Sequence, residues 1–423
     1  MSAGRNAFSR RAMLAAGLAG AMPLRAAAAQ PQLTVAAFPR IDEIVKAAVA
    51  GPWAQRHPDV PVQVVSRSYK DHHTAMTTAL STSVGLPDVM ALESRYLGNF
   101  ALGAGLENLS SEPFGADRFA SGFVPFAWRQ AHGLHGELRA LPTDIGPGTL
   151  LYRVDLLAKA GLAEADLTSS WEAYVEAGVR LKKATGAYLI GSVQSLKDIL
   201  VRAVAQGEGL YFDAESRPLV TSPRFVRAFE LCKRVRQHGL DARVTAWTNE
   251  WAEGFKRGQV ATDLRGCWMV GQMSNWVAPN TKGLWRAAQL PGNTYAAFGG
   301  TFYTLPRRAA AQNKALAWEF LQLLTLDPAL QLAAFKSEDA FPALQATYED
   351  PFFEQPLPFL GGQRARVLWR DAARKIAVPG IHKQNAFGDE VINTELDNVI
   401  DRGKPIAQAL ADAQRLLEKR AHR

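Results

Sequence analysis

Between residues 33 and 92 the chain alternates strand-forming and helix-forming segments at a spacing that few folds accommodate. Leu33-Thr34-Val35-Ala36-Ala37 reads as a strand, and residues 41–49 as a helix with apolar positions at Ile41, Ile44, Val45 and Ala48. Pro58 and Pro61 bracket a turn before a second strand, Val62-Gln63-Val64-Val65. A helix over 71–83 follows, then the breaker Gly85-Leu86-Pro87, then a third strand, Asp88-Val89-Met90-Ala91-Leu92. Strands joined through intervening helices pair in parallel, so this stretch predicts an open α/β sheet. Such sheets bind ligands beyond the carboxyl ends of their strands. The residues to watch are therefore Phe38 to Arg40, Ser66 to Tyr69, and Glu93 to Tyr96.

The rest of the chain is helix-rich. Ser170 is placed to cap a helix over 171–185, and Pro223 to begin another running to about His238. A helix over 250–258 precedes an apolar strand and a tryptophan. Asn313 is expected to cap a helix over 314–325, and Asp327-Pro328 to start the next. Residues 406–421 form a charged amphipathic helix. No internal repeat or low-complexity linker separates the segments, which points to interwoven lobes.

The N-terminus is an export signal by its pattern. Ser9-Arg10-Arg11 precedes an Ala- and Gly-rich apolar run, Met13 to Leu24, too short to span a bilayer, and Ala26 to Ala29 supply an A-x-A-type cleavage site. Residues 1–29 thus read as a twin-arginine signal peptide. The mature chain would begin near Gln30, with no cysteine at the cut to carry a lipid, and work in the periplasm. Four arginines and no acid leave with the signal, which lowers the formal charge from +8 to +4. The remaining charges are interspersed, which argues against a nucleic-acid partner. The two cysteines, Cys232 and Cys267, could pair or stay as free thiols, the free state being favoured for Cys232 in its apolar surroundings. His72-His73 is a bare pair without the spacing zinc needs, so no metal is expected, and no cofactor motif is present.

Several segments, in order, resemble the family 1 extracellular solute-binding proteins of ABC importers, which include the maltose-binding type. Gly85-Leu86-Pro87-Asp88-Val89 is similar to the family's third strand, and Gly105-Leu106-Glu107-Asn108-Leu109 to the turn after the next helix. Residues 141–162 resemble its crossover segment, with Arg153-Val154 in place of the usual Asn-Lys. Ser170-Trp171-Glu172, Phe255 to Ala261 leading into Gly266-Cys267-Trp268, Pro291-Gly292 with Gly299-Gly300, and residues 314–324 complete the series. The resemblance covers roughly residues 85–325. It implies an α/β periplasmic-binding-protein (Venus flytrap) fold, two α/β lobes joined by crossing hinge strands, with ligand in the cleft between them. Residues 31–142 plus 304–350 would form the N-terminal lobe and 146–300 plus 351–423 the C-terminal lobe. The first crossing would lie near Pro142–Gly146, the second near Phe302–Pro306, and a third after Tyr348. The implied protein is a monomer that captures a mono- or oligosaccharide or polyol by lobe closure and hands it to permease subunits in the inner membrane. Two other classes stay open: a secreted carbohydrate-active hydrolase, whose paired carboxylates have no local signature, and a binding protein that feeds a sensor.

A sugar offers hydroxyls to hydrogen-bond and C–H faces to stack on, so its site needs carboxylates or amides beside aromatic rings. Trp268 stands where the family commonly places a stacking tryptophan. Glu93 ends the third strand, Asp144 lies in the crossing, and Gly299 and Gly300 would let backbone approach a ligand. Arg40, just past the first strand, could pair with an anionic group. Trp247 and Trp251 form an aromatic cluster, at least one of them core, and Tyr303 and Phe387 are weaker candidates.

Overall fold

A computed structural model describes residues 31–101, 103–133, 136–378, 380 and 382–421. The signal segment, with Arg10 and Arg11, lies outside them. Seven strands are ordered β2-β1-β3-β7-β4-β5, with β6 paired to β4. They are β1 Leu33–Ala37, β2 Val62–Ser66, β3 Val89–Glu93, β4 Leu141–Arg153, β5 Thr262–Gly266, β6 Trp285–Ala288 and β7 Ala297–Thr304. The first three pair in parallel, as their helical connections require.

Two strands carry the chain between sheets. β7 pairs antiparallel with β3 and with the first half of β4, while the second half of β4 pairs with β5 and β6. The 13 residues of β4 therefore belong to both lobes. The β4–β7 register shifts twice, between Pro142 and Asp144 and between Ile145 and Pro147, which re-aims the side chains where the two sheets meet. Gly146 and Gly148 permit the close approach there. A Cβ on Gly146 would lie 2.0 Å from the Phe298 carbonyl oxygen, and one on Gly148 would lie 2.8 Å from that of Ala296.

Strand alternation sorts the core. Leu150, Tyr152 and Ala288 face a core built on the helices Trp171–Thr185, Val193–Arg202, Pro223–Gln237, Asn385–Arg402 and Ile406–Glu418. Leu151, Trp285 and Ala287 face the opposite side, where Trp251, Phe255 and Trp369 join an apolar cluster continuous with that of β1–β3. Trp369 Nε1 donates to Thr149 Oγ1 at 3.2 Å, which ties the helix Ala365–Ala373 to the crossing strand. After the helix Pro328–Glu338 the chain returns to β4: Ile145 N donates to Phe341 O, and Ala343 N to Thr143 O.

Most helix ends follow their sequence signals. Ser170 Oγ accepts from Ala173 N, and the Asp327 side chain accepts from Leu330 N. Asn313 is a correction. Its side chain makes no cap; Nδ2 donates instead to Gln32 O at 2.8 Å and Asp88 Oδ1 at 3.2 Å. A buried amide that can anchor the start of β1 gains more there than at an N-terminus open to water. Cys232 and Cys267 are both free and buried. Burial raises both thiols above their ordinary range.

Candidate functional site

The carboxyl ends of β2 and β3 bring Tyr69, His73, Glu93 and Tyr96 together. His73 Nδ1 lies 2.7 Å from Tyr69 O, and its Nε2 accepts from Glu93 N at 3.1 Å, a pattern that the neutral ring satisfies. Its ring stacks on Tyr96 at 4.0 Å. The Glu93 carboxylate accepts from Tyr69 Oη at 2.8 Å, Ser94 Oγ at 2.7 Å and Arg95 N at 3.0 Å. Burial alone would raise this carboxyl. The Arg95 charge and the Ser94 and Tyr69 hydrogen bonds outweigh it and hold Glu93 below its ordinary range.

Thr301 of β7 lies opposite both Glu93 and Asp144 in the sheet, so the two acids flank one strand position. Asp144 differs from Glu93 in being underserved. Its Oδ1 is buried without a partner. Desolvation, against a hydrogen bond from Thr301 and with repulsion from Glu93, pushes its pKa up to about 7. An acid in that state can donate a hydrogen bond to a hydroxyl as well as accept one.

Across the crossing lies Trp268, half-buried, its Nε1 donating to Phe298 O at 2.8 Å. Three glycines make room for this indole. A Cβ on Gly299 would stand 3.1 Å from Trp268 Nε1, one on Gly146 3.0 Å and one on Gly266 2.3 Å. Gly299 and Gly300 have φ of 86° and 125°, a region that side chains disfavour. Gly300 packs on the Asp144 carbonyl oxygen, where a Cβ would come within 3.1 Å. Trp268, Gly299, Gly300, Asp144 and Glu93 are thus one continuous constellation around the β4–β7 crossing.

Arg40 stands differently. Its guanidinium is paired with Glu338, 3.3 Å from the carboxylate and hydrogen-bonded to the backbone carbonyl. Its charge also reaches Asp339, which is pushed by burial to about 6. Asp339 abuts the helical turn after β5: a Cβ on Gly271 would fall 1.8 Å from its Oδ2. Trp251 and Tyr303 are core residues, 1% and 0% exposed, and Phe387 packs partly against the second core.

A second group of polar residues reaches beyond the sequence candidates, of which it includes only Ser94 and Arg95 from the Glu93 to Tyr96 stretch. Arg95 and Ser94, after β3, line a cavity of about 70 Å³ opposite Arg202, Tyr211, Asn385 and Asp389. Lys197, fully buried, lies 2.9 Å from Asp389 Oδ1, which also accepts from Tyr211 Oη at 2.7 Å. Arg95 Nη1 is 3.9 Å from Asp389 Oδ2, so charge meets charge between the segment after β3 and the helix Asn385–Arg402. Burial opposes ionisation of Asp389, but Lys197, Arg95 and Arg202 hold it well below the carboxylate range. The signal was present: Lys197 occupies the i+4 position after Val193 and the i−3 position before Leu200, on the buried face of its helix. A lysine there requires a buried partner.

Two lobes joined by crossing strands, with indoles, carboxylates and arginines at the junction, define a ligand-binding protein that takes its ligand between lobes. A family model for bacterial extracellular solute-binding proteins matches residues 35–331, and the chain belongs to that family. It is 24% identical over 414 residues to a lactose-binding protein of Rhizobium radiobacter, covering 94% of this chain and 93% of that one. It is 24% identical over 303 residues to an arabinooligosaccharide-binding protein of Bacillus subtilis, covering 69% and 68%. A crystal structure of an extracellular solute-binding protein of family 1 superposes with a TM-score of 0.81 at 23% identity, over 93% of this chain and all (100%) of that one. The ABC transporter associated binding protein of B. animalis subsp. lactis Bl-04, solved with beta-1,6-galactobiose, superposes at 0.73 and 19% identity, over 92% and 97%. The fold is the two-lobe α/β fold of that class.

Proposed function

We propose that this chain captures a saccharide or related polyol by closing its lobes, and delivers it unaltered to the permease of an ABC importer. The observation that carries this reading is the partly exposed Trp268 indole beside Asp144 and Glu93: an apolar face next to groups that both donate and accept hydrogen bonds. The sugars named for the relatives and bound in the related structure support the same class. The hydrolase alternative has no support among the relatives, which are named as binding proteins. Residues 31–142 plus 304–350 and 146–300 plus 351–423 are taken as the lobes, and Arg10-Arg11 as the signal that sends a monomer to the periplasm.

Calorimetric titration of the mature chain with lactose, galactobiose and arabino-oligosaccharides tests the class. Saturable binding of at least one, with no cleavage product, is expected; no binding by any sugar or polyol overturns it. For export, replacing Arg10 and Arg11 with Lys should strand precursor in the cytoplasm. Undiminished periplasmic protein would refute the route.

A further inference from the structure

Polar groups without partners gather on the wall of the cavity after β3. Arg202 is half-buried, yet among the described residues its guanidinium neither donates a hydrogen bond nor makes an ion pair; it lies 5.0 Å over the Phe298 ring. Arg95 reaches Asp389 through Nη1, while its Nε is buried without an acceptor. Asn385 Oδ1 is buried without a donor. Buried polar groups are almost always paired. Guanidinium donors and an amide acceptor left open around one space call for a ligand that supplies the complement of both.

Charge and size narrow that ligand. The charged residues lining the cavity are Arg95, Arg202 and Asp389. Asp389 Oδ1 is already held by Lys197 at 2.9 Å and by Tyr211 Oη at 2.7 Å, and Lys197 is balanced in turn by Asp198. The wall therefore keeps a surplus of a single positive charge, which one carboxylate neutralises and a phosphate group overfills. Two helices, Ser94–Ala101 and Asn385–Arg402, open on the same space through Ser94 and Asn385, and their positive ends act in the same sense. A volume of about 70 Å³ holds roughly five to seven water-sized groups. That is room for a carboxylate and the hydroxyl-bearing carbon beside it, not for a sugar ring. The cavity also borders the constellation around the crossing. Ser94 Oγ donates to Glu93 Oε1 at 2.7 Å, and the Phe298 ring has both Arg202 and Trp268 as neighbours, the indole at 6.3 Å.

We propose that the solute is an acidic saccharide: its carboxylate enters this cavity and accepts from Arg202 and from Arg95 Nε, while the neighbouring hydroxyl donates to Asn385 Oδ1. The planar fork of arginine suits a carboxylate in this role. The assignment deepens the saccharide reading above and rests on it. A uronate and an aldonate offer the same chemistry to these groups, and the choice of ligands separates them.

Calorimetric titration of the mature protein with matched pairs reads the charge directly: galactose against galacturonate, lactose against lactobionate, with galactose 6-phosphate as the dianionic control. At least one acid should bind about 10- to 100-fold tighter than its neutral counterpart, and whichever acid leads tells uronate from aldonate. Arg202→Gln should bring that acid to within about threefold of the neutral sugar, with the unfolding midpoint little changed, because this guanidinium has no hydrogen bond or ion pair to lose. Arg202→Lys should keep part of the preference. A neutral sugar that binds as tightly as its acid overturns the assignment and leaves the saccharide reading standing, as does a phosphate that binds tighter than either acid. An acid preference that survives both Arg202→Gln and Arg95→Gln refutes this cavity as the place of the carboxylate. If no saccharide binds, neutral or acidic, the underlying function fails with it.

Discussion

Replacing Trp268 with alanine perturbs the site at its centre, and the structure sets two separable costs. The first is stability. About two-thirds or more of an aromatic side chain that can bury 150–250 Å² is removed from packing, worth about 2.5–4 kcal/mol at 25 cal/mol per Å². The hydrogen bond to Phe298 O adds about 1 kcal/mol. For a mature chain of this length a loss of about 4 kcal/mol lowers the unfolding midpoint by only about 5 °C, since the unfolding entropy scales with residue number. The second cost is affinity. The exposed part of the ring, about a third at most, is what a sugar face would cover, and its area plus the stacking preference comes to about 2–3.5 kcal/mol, or about 30- to 300-fold in the dissociation constant. Calorimetric titration with the tightest saccharide and scanning calorimetry on the same variant measure both. A midpoint lowered by a few degrees with affinity unchanged refutes the role assigned to Trp268.

Asp144→Asn should gain stability over the parent as pH rises. The folded pKa of about 7 lies above the ordinary carboxyl value, so the folded chain binds the extra proton and its relative stability declines from about pH 4 through 7. Between pH 5 and 8 the variant should gain about 1–2 kcal/mol after allowance for the water that still reaches this half-buried group; a pH-independent difference in urea midpoints contradicts the assignment. Gly146→Ala places a methyl against the Phe298 carbonyl and should cost about 3 kcal/mol or more. Gly122→Ala, whose Cβ would meet only Leu344 Cδ1 at an ordinary 3.5 Å, should be near neutral. Equal midpoints for these two variants would show that β4 and β7 do not approach as closely as described.

Much of this architecture could be read from local pattern. The parallel β1–β3 unit and the helices at 171–185 and 314–326 follow from periodicity and punctuation by Gly, Pro and Ser, because each signal acts within a few residues. Glu93 and the Gly299-Gly300 pair stood out by local pattern, Asp144 and Trp268 by the family resemblance, and the structure brings all five around the β4–β7 crossing. What escaped was non-local. Nothing around Arg95 announces that Asp389, almost three hundred positions later, will stand 3.9 Å away. Asn313 carried a cap signal that lost to a buried partner on a distant strand. Arg40 looked available for a ligand, and only the fold shows Glu338 taking it. Trp247 and Trp251 are alike as neighbours in sequence, yet one faces solvent and the other fills the core.

The central claim is that the two lobes close on a sugar. Small-angle scattering of the mature chain, with and without a saturating saccharide identified by calorimetry, tests it most directly. The bound form should have the smaller radius of gyration and should fit scattering calculated from the arrangement in which Arg95 meets Asp389 and Asp339 meets Gly271. An unchanged radius at full occupancy would mean a rigid site, and would contradict capture by closure.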